Sequence, residues 1–120
     1  MSASAAAVQL AGVLADAAAG KLGTDILGLD VSVPLAITDV FLLVTANNDR
    51  QVGAVVDAID EAAHGAGQRV LRREGETEAH WVLLDLGDVV VHVMQPGDRT
   101  LYALERIWRD APRLELGSAS

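Results

Sequence analysis

The run from Trp81 to Met94 (WVLLDLGDVVVHVM) limits the fold more than any other stretch of this chain. It reads as two β-strands, Trp81–Asp85 and Val89–Met94, joined at Leu86-Gly87-Asp88, where a glycine supplies the backbone freedom of a tight hairpin. Valines dominate the second strand, and β-branched side chains suit a pleated surface. A run this apolar on both faces belongs to interior strands, with helices on each side. Yet Asp85, Asp88 and His92 interrupt it and Trp81 opens it. An apolar core gives those four side chains no reason to be there, so a functional role is sought here.

The remaining chain supplies the other layers. Ser4 to about Ala19 reads as an alanine-driven helix with Ser4 as N-cap and Gly20 or Gly23 at its end. Its apolar stripe, Val8, Leu10, Ala11, Leu14 and Ala18, is rough. Asp25–Val31 is a short strand broken by Ser32-Val33-Pro34, and Val40–Thr45 is an apolar, central one. Asp49 can cap the helix Arg50–His64, whose Val52, Val55, Val56, Ile59, Ala62 and Ala63 share one face. Gly65 and Gly67 end it. Strand, helix and strand in succession predict that part of the sheet is parallel. Gln68–Arg73 is a charged edge strand and Glu74–Ala79 a polar loop. A last helix runs from Pro96 to about Asp110, with Leu101, Leu104, Ile107 and Trp108 as its buried stripe, and Pro112 stops it. The expected architecture is a single α/β domain over 1–120, with a mixed, about five-stranded sheet flanked by helices. Its ordered core spans about residues 6–110, and Leu114–Ser120 is a loose tail.

Composition excludes several functions. The chain has 120 residues, of which 51% are apolar and 22% charged, so it is globular rather than disordered. No cysteine is present, which removes disulfides and thiolate chemistry and fits a reducing cytoplasm. No apolar run reaches the ~18 residues of a membrane span, and the start lacks the positive leader and cleavage site of a secretory signal. A net charge of −8, spread along the chain, repels phosphate backbones. It suits a basic protein partner, or simply keeps the protein soluble.

No catalytic constellation is legible. His64, His80 and His92 lack metal-pair spacing. Asp88 and His92 lie roughly 13 Å apart along an extended strand, too far for one ion. His92 reads as a packed or surface-pairing histidine. Asp85 and Asp88 invite a two-metal reading, but aspartates flanking a turn usually serve the backbone. There is no phosphate-cradling glycine loop and no nucleophile elbow. Trp81 can be core or interface anchor, and so can Tyr102; Trp108 and Phe41 fit buried stripes.

Several segments together resemble the ribosomal silencing factor, or Iojap-like, family. They are Leu29-Asp30-Val31, Ile37-Thr38-Asp39 with Phe41, Thr45, Arg50-Gln51-Val52, Glu74-Gly75, Trp81–Asp85, Gly87–Val93, and Arg99 with Tyr102, Leu104, Glu105 and Trp108. The match runs from about Ala6 to Trp108, with Trp81–Val93 its most specific part. Ala46 and Asn48 replace a small motif of glycine and serine common in the family, and Met94 replaces a frequent phenylalanine.

The resemblance implies a nucleotidyltransferase-like fold without the catalytic Gly-Ser and Asp-x-Asp residues, and no enzyme activity or cofactor. It also implies a job: binding the large ribosomal subunit through its basic protein fourteen, blocking the small subunit from joining, and so lowering translation when nutrients run short. Partner contacts would come from Trp81, Asp85, Asp88, His92, Tyr102 and Glu105, with Arg50 and Gln51 second. A cytoplasmic location, no direct nucleic-acid contact and a homodimer in the free protein complete the expectation. The alternatives are an adaptor for another basic protein and a nucleotidyltransferase-type enzyme.

Overall fold

The first helix, α1 (Ala5–Gly20), begins where the sequence predicts. Ser4 is extended, and its hydroxyl accepts from the Ala7 N–H at 3.1 Å. Two carboxylates hold the chain just before it. Asp30 accepts from the Ala3 N–H at 2.8 Å, and Asp39 from the Ser4 N–H at 2.9 Å. The computed structural model describes residues 3–33, 38–97 and 111–116. The buried stripe of α1 is Ala7, Ala11, Leu14, Ala15 and Ala18, while Val8 and Leu10 are only half-buried. Small side chains win the inner positions because α1 packs directly on a second helix.

That second helix, α2 (Asp49–Gly65), is capped by Asn48, whose side chain accepts from the Gln51 N–H at 2.9 Å. The cap is thus one residue earlier than expected, because Asp49 is used elsewhere: its carboxylate accepts from Gln95 Nε2 at 2.6 Å. Val52, Val55, Val56, Ile59 and Ala63 are buried as predicted. Each branched side chain gains roughly 1.5–3 kcal/mol on burial, which outweighs the few tenths a valine costs a helix.

Strands β1 (Thr24–Asp30), β2 (Val40–Thr45), β3 (Arg72–Glu74), β4 (Trp81–Asp85), β5 (Val89–Met94) and β6 (Arg113–Leu114) form one sheet in the order β3-β4-β5-β2-β1-β6. The centre is a parallel pair, β2 with β5, in register from Val40 opposite Val89 to Thr45 opposite Met94. All other pairings are antiparallel. The parallel partner of β2 is therefore not the strand that follows α2 but the third one, because β3 and β4 fold back outside it.

Two strand assignments change. The expected strand Gln68–Arg73 is reduced to Arg72–Glu74, because Gln68 is spent on the end of α2, its N–H donating to the Ala63 carbonyl at 2.9 Å. The edge position and its charge are as expected: Arg73 pairs with Asp60 of α2 and, at 2.8 Å, with Glu76. Those carboxylates, Glu76 foremost, hold the Arg73 guanidinium above its ordinary value despite partial burial. Residues 113–116, expected in or beside a loose tail, instead carry a sixth strand. The Asp30 N–H donates to the Pro112 carbonyl at 2.8 Å, Gly28 lies opposite Leu114, and Leu116 lies over Gly28, where a Cβ would sit 3.1 Å from it. A residue with no side chain at 28 makes that room.

Alternation sorts the strands into two faces. Val40, Leu42, Val44, Val82, Leu84, Val89, Val91 and Val93 pack with α1 and α2. On the opposite face Leu29, Val31, Leu43 and Met94 are buried, with Phe41, Trp81 and Ala111 against them. Helices on each side were expected; both described helices lie on the same side. Pro96 and Gly97 are helical, and the rest of the predicted last helix lies outside the described residues.

Gly75 fixes the loop before β4. Its φ is +88°, and a Cβ there would lie 2.1 Å from the Trp81 carbonyl oxygen. Backbone, not a flexible side chain, is in the way. Gly75→Ala is expected to cost about 2–3 kcal/mol. Urea unfolding with tryptophan fluorescence checks it; a loss under half a kcal/mol would contradict this packing.

Candidate functional site

The sheet face away from α1 and α2 gathers the side chains that the apolar core did not explain. Period-two alternation places Trp81, Leu83 and Asp85 of β4 on it, beside Val90 and His92 of β5 and Phe41 of β2. Leu83 and Leu43 flank His92 in register, and Asp85 lies opposite Val90.

His92 is the pivot. It is only 5% exposed. The Trp81 indole Nε1–H donates to its Nδ1 at 3.1 Å, with ring centroids 6.0 Å apart. Phe41 meets the imidazole edge-on, centroids 4.8 Å apart. An indole nitrogen only donates, so Nδ1 must be bare and the ring proton sits on Nε2. Burial pushes the imidazole pKa down to about 4. The ring is therefore neutral at ordinary pH and holds the half-buried Trp81 by one fixed hydrogen bond. Of the two expected settings, packed or surface-pairing, burial places the ring in the first; among the described residues no group of three or more potential ligands could hold a metal ion.

The two turn aspartates divide their roles. Asp85 Oδ1 accepts from the Gly87 N–H at 2.8 Å, and Oδ2 lies 3.8 Å from the Arg72 guanidinium. Its carboxylate thus serves the hairpin first. The Asp88 carbonyl accepts from the N–H groups of Asp39 and Val40, each at 3.0 Å, which ties the turn to the start of β2. Its side chain is exposed and makes no ion pair among the described residues. Between these groups lies a shallow depression of about 400 Å³, lined by Thr38, Phe41, Leu71, Arg72, Leu83, Asp85, Gly87, Val90 and His92.

Of the residues singled out by sequence, Trp81 and His92 touch, Asp85 shares the depression with His92, and Asp88 stands beside it on the turn. Arg50 and Gln51 do not line it. Arg50 is exposed in the first turn of α2. Gln51 accepts from the Asn47 N–H at 2.6 Å and donates to the carbonyls of Lys21 and Leu22 at 3.2 and 2.9 Å, so it supports the loops. Tyr102 and Glu105 lie outside the described residues. Thr38, Phe41, Leu71, Leu83 and Val90 were not singled out for the site. Alternation through the hairpin signals Leu83 and Val90; nothing local signals Thr38 or Leu71, which the sheet brings in from a distance.

Fold and face define a small α/β domain with one mixed aromatic and acidic sheet surface. A family model described as "Ribosomal silencing factor during starvation" matches residues 4–120. A Bacillus subtilis protein named ribosomal silencing factor RsfS is 43% identical over 104 residues, covering 87% of this chain and 88% of the relative. The chloroplastic protein Iojap of Zea mays is 36% identical over 86% of this chain and 45% of its own length. A crystal structure of a Chromobacterium violaceum protein superposes with a TM-score of 0.80 at 33% identity, covering 83% of each chain. One from Bacillus halodurans gives 0.74 at 34% identity, over 86% of this chain and 93% of that one. The chain belongs to the ribosomal silencing factor family.

The buried imidazole carries a pH signature. An unfolded histidine titrates near 6.5 and this one near about 4. The unfolded state therefore takes up the proton first, and stability falls as pH drops from about 6.5 to about 4. The whole effect is on the order of 3 kcal/mol and is absent above pH 7. Urea titrations at pH 7, 5.5 and 4.5 should follow that decline, and His92→Gln should flatten it. Equal slopes in both proteins would place the titration elsewhere.

Proposed function

We propose that this protein docks on the large ribosomal subunit through its basic protein fourteen, using the sheet face that bears Trp81. Seated there, it keeps the small subunit from joining and lowers translation when nutrients are short. The observation that carries this reading is the Trp81–His92 pair: a large aromatic hydrogen-bonded to a buried histidine at the surface of an acidic domain, with no metal-ligating cluster around it among the described residues. A steric blocker needs only such an adhesive face. Trp81 is the desolvated anchor, and the rim charges set orientation and encounter rate more than affinity. Asp88, unpaired among the described residues, faces lysines and arginines of the partner; Asp85, already bound to its turn, contributes less. Tyr102 and Glu105 join this surface on the strength of the family resemblance, and Arg50 stays second in rank.

The protein is proposed to act in the cytoplasm without enzyme activity or cofactor, and to pair with a second copy when free. A nucleotidyltransferase-type enzyme is the alternative that magnesium-dependent nucleotide binding would reveal. An adaptor for another basic protein would use the same face. The hairpin geometry disfavours the enzyme, because Asp85 is held by the Gly87 N–H rather than paired with Asp88.

Co-sedimentation with purified large subunits tests the docking. Trp81→Ala is expected to weaken binding by about 2 kcal/mol, roughly thirtyfold. Because that change also strips His92 of its donor, Trp81→Phe serves beside it: it loses the same donor but keeps an aromatic ring, so it separates loss of the hydrogen bond from loss of the anchor. Asp88→Lys should slow association and reduce its salt dependence. If Trp81→Ala pellets with the subunit as well as wild type, Trp81 is not the anchor; if wild type itself stays in solution, the ribosomal reading fails.

A further inference from the structure

Trp81 is placed by more than its ring contact with His92. The backbone just before it takes an uncommon conformation and is held there from two sides. Ala79 has a φ of +56°, a left-handed setting that residues with a side chain rarely adopt. Its N–H donates to the Gly75 carbonyl at 3.0 Å, which closes the loop between them. Gln95, just past β5, holds the other side. Its backbone N–H donates to the His80 carbonyl at 2.9 Å, and its side-chain Nε2 donates to the Ala79 carbonyl at 3.0 Å. The same Nε2 also donates to Asp49 Oδ1 at 2.6 Å. Both side-chain partners only accept, so together they fix the orientation of the amide.

Asp49 starts α2, which packs on one face of the sheet, and the Trp81 ring packs on the other. The link between them runs through the Gln95 amide and the carbonyls of Ala79 and His80. His92 fixes where the ring points; Gln95 fixes where the strand that carries the ring begins. An anchor whose backbone is already ordered loses less freedom on binding.

We propose that Gln95, oriented by Asp49, is a positioning residue for the docking anchor Trp81. This rests on the docking function proposed above and adds a support to it from the far side of the sheet. The brace keeps Ala79 in a conformation that would otherwise favour glycine.

Co-sedimentation with large subunits separates this role from a direct contact. Gln95→Ala removes both side-chain bonds and is expected to weaken docking about tenfold, and Asp49→Ala about fivefold. Asp49 is exposed, so its replacement leaves the core intact. Asp49→Asn keeps an oxygen that accepts from Gln95 but loses the charge; it should dock within about twofold of wild type. In a Trp81→Ala background, Gln95→Ala should cost nothing further, because its effect passes through Trp81. Docking weakened as much by Asp49→Asn as by Asp49→Ala would overturn the proposal, since the charge itself would then face the partner. An equal loss from Gln95→Ala in both backgrounds would overturn it too.

NMR relaxation of the free, isotope-labelled protein tests the brace without the ribosome. The indole N–H of Trp81, identified by its absence from Trp81→Phe, is followed with the backbone N–H groups of Ala79, His80 and Trp81. All should be rigid in wild type and in Asp49→Asn, and should lose order in Gln95→Ala. If wild type does not bind the subunit, the docking function fails separately and this measurement decides the brace alone. Unchanged order in Gln95→Ala would then overturn it.

Discussion

Everything in this molecule hangs on the parallel ladder between β2 and β5. It joins the two halves of the sheet, one built from β1, β2 and β6 and the other from β3, β4 and β5. Its inner side chains, Val40, Leu42 and Val44 with Val89, Val91 and Val93, form the floor on which both described helices rest. Its outer side chains include Phe41, Leu43, His92 and Met94. The same six-residue register therefore decides what the core buries and what the opposite face presents. A slip by one residue would exchange the two sets and bring His92 under the helices.

The ladder also explains a residue that looks misplaced in sequence. A histidine in the middle of a valine strand costs burial energy unless its polar atoms find partners. Trp81, at the start of the neighbouring strand, supplies one of them. The pair freezes an amphipathic aromatic in a single orientation with little entropy left to lose on binding. Rigidity of this kind is what a recognition surface needs, and the Trp81–His92 hydrogen bond and the Phe41 edge contact on the imidazole both contribute to it.

Much of this was legible in advance. Helix α2 announced itself through its valine and isoleucine spacing and the hairpin through Gly87; the strand–helix–strand order predicted some parallel pairing but not that β5 would supply it. Family-specific residues pointed to Trp81 and His92. What sequence did not give were contacts set by tertiary geometry. Asn48 rather than Asp49 caps α2 because Gln95, far along the chain, claims the aspartate. Arg113 and Leu114 form a strand because Gly28 leaves room above β1. Gln51, a candidate contact by resemblance, is occupied by three backbone groups that only the fold brings near. Thr38 reaches the depression because the turn carbonyl of Asp88 ties down the start of β2. Local pattern predicts elements; it is silent on which distant atom will take a given hydrogen bond.

The wide sequence separation inside that central ladder bears on how the chain is made. Val40 must find Val89, and between them lie a helix and two strands. Until β5 has been synthesised, β2 has antiparallel β1 on one side and an open edge on the other. That edge exposes an apolar ladder of the kind that pairs with foreign chains. Non-local closure of this type is also slow. The amphipathic helix α2, complete well before β5, can shelter one side of β2 during the wait, but its edge stays open until the valines of β5 arrive.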